Sequence, residues 1–137
     1  QEMNLPVILH AVKTTGQVLD EVQNCNGLGA GGIWHGFTGS VETMKQIEKL
    51  GLHISIGGQV TYPNSKKCRL AIPEIRADRL LLESDSPDHP PRDWQEAQSE
   101  PSALEITVQD IAKLRGESIA VIKKQTAENA IRLFKMN

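Results

Sequence analysis

The chain has 137 residues, 39% of them hydrophobic and 23% charged, with a formal net charge of −2, ordinary values for one soluble globular domain that buries its own core. The slight acidity supplies no basic field for a phosphate backbone, so any nucleic-acid contact has to be local or metal-mediated, and an aromatic content of 4% argues against base-stacking platforms. No apolar run nears the ~20 residues of a membrane span, and Cys25 and Cys68 belong to no CxxC pattern, so they read as free thiols of a reducing compartment, cytoplasmic or nuclear.

Leu5 to Leu9 (LPVIL) is a short continuous apolar run, which reads as a strand buried on both faces. Thr14 or Thr15 can cap the helix that follows, with Val18, Leu19 and Val22 on one face and Asn26-Gly27 at its end. Gly31 to Trp34 is a second strand. Ser40 then caps a helix whose stripe is Met44, Ile47 and Leu50, closed by Gly51. His53 to Ile56 is a third strand, ended by Gly57-Gly58, which read as a flexible loop; a helix follows near Ser65 to Ile72, and Arg79 to Leu82 is a fourth strand. Strand and helix thus alternate with short connections, as a parallel sheet requires. Residues 86–101 are rich in Pro, Asp and Gln and read as a long loop. Pro101 opens a helix to about Arg115, with Leu104, Val108 and Ile111 inward; Gly116-Glu117-Ser118 breaks it, and Ser118 caps a last helix in which Ile119, Ile122, Ala130, Leu133 and Phe134 are expected to be buried.

Three polar residues occupy one structural station. His10 follows the first strand, His35 the second, and Asp85 the fourth. In a parallel α/β sheet or barrel, strand C-termini share one face, and active sites sit there. Two imidazoles and a carboxylate are a common ligand set for Zn, Mn or Fe(II), and such an ion acidifies a bound water and polarises the bond under attack. Asp85 can bind the metal, take a proton from that water, or both. Glu83, two residues earlier, is a supporting partner or a buried structural acid. His53 opens its strand, and so belongs at the opposite end, on the surface. His89 reads as a solvated loop residue. Cys25 and Cys68 lie on predicted helices with no His nearby, unsuited to nucleophile roles. Lys66, Lys67 and Arg69 form a small basic patch beside the mouth: a solvated helix face, or a contact for a phosphate. Phosphate-binding GxxxxGKS loops, GxGxxG turns and GxSxG elbows are absent from the sequence.

Five stretches, in order and covering nearly the whole chain, carry a family resemblance. They are Leu5–His10, Trp34–Ser40, Ile54–Gly58, Leu80–Pro87 and Thr126–Phe134. Together they resemble the TatD family of metal-dependent hydrolases, (β/α) barrels related to the amidohydrolases, whose best-known activity is Mg-dependent deoxyribonuclease cleavage. By that resemblance His10 and His35 match two metal-binding histidines. Asp85 matches an aspartate that binds the metal and handles the proton of the attacking water, and Glu83 matches the acid two residues before it.

The departures are equally specific. The family's early His-x-His pair and bridging glutamate have no counterpart. Val12 stands where a family Arg often follows the first of these histidines, and Ser99 where an Asn is expected before Glu100-Pro101. The chain opens on Gln1-Glu2-Met3, at what resembles the family's fourth strand. The expectation is therefore an α/β fold: a partial TIM-type barrel of about four parallel strands with C-terminal helices. Residues 1–137 form one TatD-like domain that lacks the N-terminal part of the barrel. The resemblance implies a hydrolase of ester bonds that cleaves nucleic-acid phosphodiesters with a divalent metal (Mg, Mn or Zn), DNA or another nucleic acid being the substrate and membranes playing no part. The alternatives are a catalytically impaired fragment acting through interactions and an amidohydrolase-type enzyme. Half a barrel has two open sheet edges, which favour self-association.

Overall fold

Four short apolar runs pair into one parallel sheet in a computed structural model that describes residues 4–25 and 28–136. The strands are β1 (Val7–His10), β2 (Gly32–His35), β3 (His53–Ile56) and β4 (Leu80–Leu82), arranged β1-β2-β3-β4 as they occur along the chain. Val7 pairs with Gly32 and His10 with His35, Ile33 with His53, and Ile54 with Leu80, all in parallel. Each strand is only three or four residues long, so the residue after it already stands at the rim.

Helices return the chain between strands. They are α1 (Thr15–Asn24), α2 (Val41–Lys49) and α3 (Lys66–Ala71), followed after β4 by α4 (Leu104–Arg115) and α5 (Ile119–Phe134). α2 starts where Ser40 Oγ accepts the Thr43 N–H, and α5 where Ser118 Oγ accepts the Val121 N–H; a cap of this kind is worth about 1 kcal/mol. Thr14 precedes α1 but makes no capping bond, and the predicted stop at Asn26-Gly27 lies outside the described residues. Pro101 begins a 3-10 turn leading into α4, which Gly116 closes at φ 65°, a left-handed turn that glycine adopts without strain.

Period-two alternation divides the core between the sheet's two faces. On one, Trp34, Ile54, Ile56 and Leu80 meet Met44, Ile47, Ile72, Val108, Ile111 and Ile122 from the helices. On the other, Ile33 and Leu81 meet Leu133 of α5, with Ala130 beside them. Asn129 fixes α5 at the entry to β4: its Nδ2 donates to the carbonyls of Ala77 and Leu80, both at 2.8 Å. Arg115 holds the turn after α3 through the carbonyls of Ile72 and Ile75.

Four expectations need correction. β1 is not buried on both faces: Val7 and Ile8 are exposed, because β1 is an outer strand with a neighbour on one side alone. Ile119 and Phe134 are exposed at the two ends of α5, where the helix outruns the sheet it packs on. His53 is buried rather than on the surface, because β3 is an inner strand and α5 brings Arg132 over its entrance. Gly57 and Gly58 are not a flexible loop. Both are buried, and a Cβ on Gly58 would stand 2.8 Å from the His89 carbonyl oxygen and the Pro91 nitrogen.

Candidate functional site

His10 and His35 end adjacent strands as register partners. Parallel pairing therefore sets their rings side by side, with centroids 5.3 Å apart and planes tilted by 41°. Asp85 and Glu83 reach the same rim from beyond β4. His35 lies between these two carboxylates: Nδ1 is 2.7 Å from Glu83 Oε2, and Nε2 is 3.2 Å from Asp85 Oδ1. His10 is exposed, His35, Glu83 and Asp85 half-buried.

Glu83 is anchored by the backbone. The Gly36 N–H donates to its Oε1 at 2.7 Å, and Gly36 turns the chain at φ 63° so that this N–H faces inward. Gly57 leaves the space that the Glu83 side chain fills, since a Cβ there would lie 3.2 Å from Glu83 Cγ and 2.8 Å from Gln59 Oε1. Glu83 Oε2 is buried without a well-aligned donor, so its contact with His35 Nδ1 is close but bent. Two acceptors 2.7 Å apart repel, and Nδ1 therefore carries a proton.

That assignment decides what His35 offers on its other side. A neutral ring protonated at Nδ1 presents a lone pair at Nε2. A lone pair facing Asp85 Oδ1 at 3.2 Å requires positive charge between them, either a second ring proton or a cation. The separation also suits two donors of one ion, because ligand bonds of about 2.0–2.2 Å put neighbouring donors roughly 3 Å apart. The donor set, imidazole nitrogen with carboxylate oxygen, thus fits a divalent metal, and His10 is the nearest further nitrogen ligand. The described residues do not by themselves bring three His, Cys, Asp or Glu side chains into one ion-holding group.

The remaining candidates stand elsewhere. His89 is exposed in the loop at φ 50°. The Cys68 thiol donates to the Phe37 carbonyl, and burial pushes its pKa up to about 12, which leaves it inert. Cys25 is exposed at the end of α1. Of the basic patch, Lys66 and Lys67 are exposed, but Arg69 is committed to Asp110 and to the Val60 carbonyl. It lines a cleft with Thr61, Arg92, Gln109 and Lys113. Gly36 and Gly57 were missed as parts of the site. Their signal was a glycine directly after a strand that ends at this rim.

The chain is similar along almost its whole length to proteins of one family. The family model for TatD related DNase matches residues 1–135. A metal-dependent hydrolase of Bacillus subtilis (strain 168), YabD, itself uncharacterised, is 37% identical over 137 residues, all of this chain and 54% of that protein. A 3'-5' ssDNA/RNA exonuclease, TatD of Erwinia tasmaniensis, is 34% identical over 98% of this chain and 54% of its own length. The crystal structure of YjjV, a TatD homologue from Escherichia coli K12, superposes with a TM-score of 0.92 at 31% identity, covering 99% of this chain and 52% of that one. The chain spans about half the length of the relatives it matches.

Proposed function

This chain belongs to the TatD related DNase family, and from that premise we propose that it carries half of a divalent-metal site which hydrolyses phosphodiester bonds in nucleic acid. The observation that supports this most is the placement of His35 between Glu83 and Asp85, with its Nε2 turned to the Asp85 carboxylate. His35, Asp85 and His10 would hold the metal, which may be Mg, Mn or Zn by the chemistry of these donors. When bound, such an ion polarises the phosphorus–oxygen bond and acidifies a water.

The chain's own residues supply orientation and a proton acceptor. Glu83 fixes the tautomer of His35. The second oxygen of Asp85 is available to accept a proton from the attacking water, and this is its catalytic role. Lys66 and Lys67 on α3, and Arg92 and Lys113 in the neighbouring cleft, offer cations to phosphates of the strand being cut. Among the described residues no helix is long and apolar enough to cross a membrane. Two free cysteines fit a reducing compartment, the cytoplasm or nucleus.

The test is Mn binding followed by electron paramagnetic resonance, beside cleavage of an end-labelled single-stranded DNA. We expect binding and metal-dependent cleavage, both lost in His35→Ala. Cleavage that survives in His35→Ala, or no binding of Mn, Mg or Zn by the unaltered chain, overturns the reading.

A further inference from the structure

Both outer strands of the sheet end in open edges. On one side β1 exposes a run of apolar residues, with Leu5 62%, Ile8 61% and Val12 64% exposed. On the other side an apolar trough runs beside β4, lined by Leu81, Leu82, Leu104, Val108, Ala127 and Ala130. A parallel strand laid against β4 would fill that trough, and a β4-like strand laid against β1 would cover Val7 and Ile8. The two edges thus ask for complementary things, and the same chain carries both.

We infer that two copies of this chain close into one eight-stranded parallel barrel, β1 of each pairing with β4 of the other about a two-fold axis that runs along the barrel. Three observations favour a second copy as the occupant. The four strands follow one another in order and are all parallel, so a rotation about the barrel axis keeps every new pairing parallel as well. Two copies make eight strands, the number whose interior side chains just fill, and one rotation closes both edges at once, which removes the exposed strand edges. The relatives are about twice as long as this chain, so two copies match their bulk. α5 does not obstruct the junction from the rim side, since Asn129 and Leu133 hold it near the strand entrances, by Ala77, Leu80 and Gly31.

The assembly also bears on the site. Each junction brings His10, at the end of β1, to the rim next to Asp85 of the other copy, beyond β4. Donors that one copy does not gather into a group of three are then supplied from both sides of a seam. The pairing itself stands on the edges and does not depend on the hydrolytic reading.

The experiment is light scattering on the full chain, combined with thiol cross-linking in a Cys25→Ser background. The unaltered chain is expected at twice the chain mass. Chains carrying Val7→Cys and Leu82→Cys, both on the helix-packed face of the sheet, are mixed and treated with a short bis-maleimide. A covalent dimer is expected in the mixture and not with either variant alone. Ile8→Glu, at an exposed position, is expected to keep its helical circular dichroism while its dimer dissociation constant rises at least tenfold. A chain that stays at single mass, Val7→Cys that cross-links to itself, or an Ile8→Glu protein that dimerises unchanged each overturns the proposal. None of these readings uses metal or nuclease activity, so failure here is distinct from failure of the proposed function.

Discussion

Glu83 approaches His35 at Nδ1, 2.7 Å away, while its other oxygen takes the N–H of Gly36, the next residue. One carboxylate therefore grips both the ring and the peptide that carries it. Removing the charge but not the shape tests the grip. Glu83→Gln is expected to weaken Mn affinity by about 10–100-fold with little change in the thermal midpoint. Nitrogen-15 chemical shifts of His35 should report a redistribution of the ring proton. Unchanged affinity together with an unchanged tautomer would assign Glu83 a purely structural place.

Gly57 should tolerate no side chain. A Cβ 2.8 Å from Gln59 Oε1 and 3.2 Å from Glu83 Cγ pushes the glutamate off its anchor. Gly57→Ala is expected to cost about 1–3 kcal/mol of stability, the usual scale of overpacking, and to lower metal affinity in the same direction as Glu83→Gln. Chemical denaturation and Mn titration on one sample read both effects.

Asn129 satisfies two carbonyls from 49 and 52 residues away in sequence, those of Leu80 and Ala77. In Asn129→Leu neither carbonyl has its donor. A loss of about 1–3 kcal/mol for each orphaned group is expected in urea unfolding, with the far-ultraviolet spectrum of the folded protein retained. A variant as stable as the parent would show that water reaches both carbonyls.

His53 sets a pH dependence with a definite sign. Burial first, and then the charges of Arg79 and Arg132, hold its pKa below the ordinary 6.5, against smaller opposing effects of the Gly32 backbone and Asp78. As pH falls through 6.5 the unfolded chain takes up a proton that the folded chain refuses. Stability is therefore full above that value and declines below it, by no more than about 1.4 kcal/mol per pH unit from this one group, until the folded-state pKa is passed. His53→Leu also removes two buried nitrogens that lack partners. It should flatten the decline between pH 6.5 and 5 relative to the parent, in which His10, His35 and His89 are shared. An equal slope in both proteins rejects the assignment.

The two thiols should separate cleanly. With the Cys68 pKa near 12 and its sulfur against the Phe37 carbonyl, a maleimide at neutral pH is expected to label Cys25 alone. Mass spectrometry of the folded protein reads the ratio, and rapid labelling of Cys68 would mean that α3 opens.

Why these outcomes were partly legible in the sequence is a matter of range. The strands announce themselves as four-residue apolar runs ended by His or Gly, and once they are parallel, the common station of His10, His35 and Asp85 follows from chain direction alone. What went astray depends on partners distant in sequence. Val7 and Ile8 carry the side chains of an inner strand, and nothing local says that one flank is open. His53 looks like a surface residue until α5, far downstream, brings Arg132 over it. Arg69 reads as a solvated cation until Asp110, 41 residues on, claims it. The tightness around Gly58 comes from the backbone of residues 89–91, a distance that composition cannot encode.

The gradient of burial across the sheet implies an order of opening. β3 is covered along its whole length, whereas β1 is held from one side and is mostly exposed. Deuterium should enter the amides of Val7 to His10 early and those of His53 to Ile56 last, a fraying that travels inward from the first strand. His10 sits on the part that frays. Of the donors at the rim, it is the one whose residence there depends on what lies against its own flank.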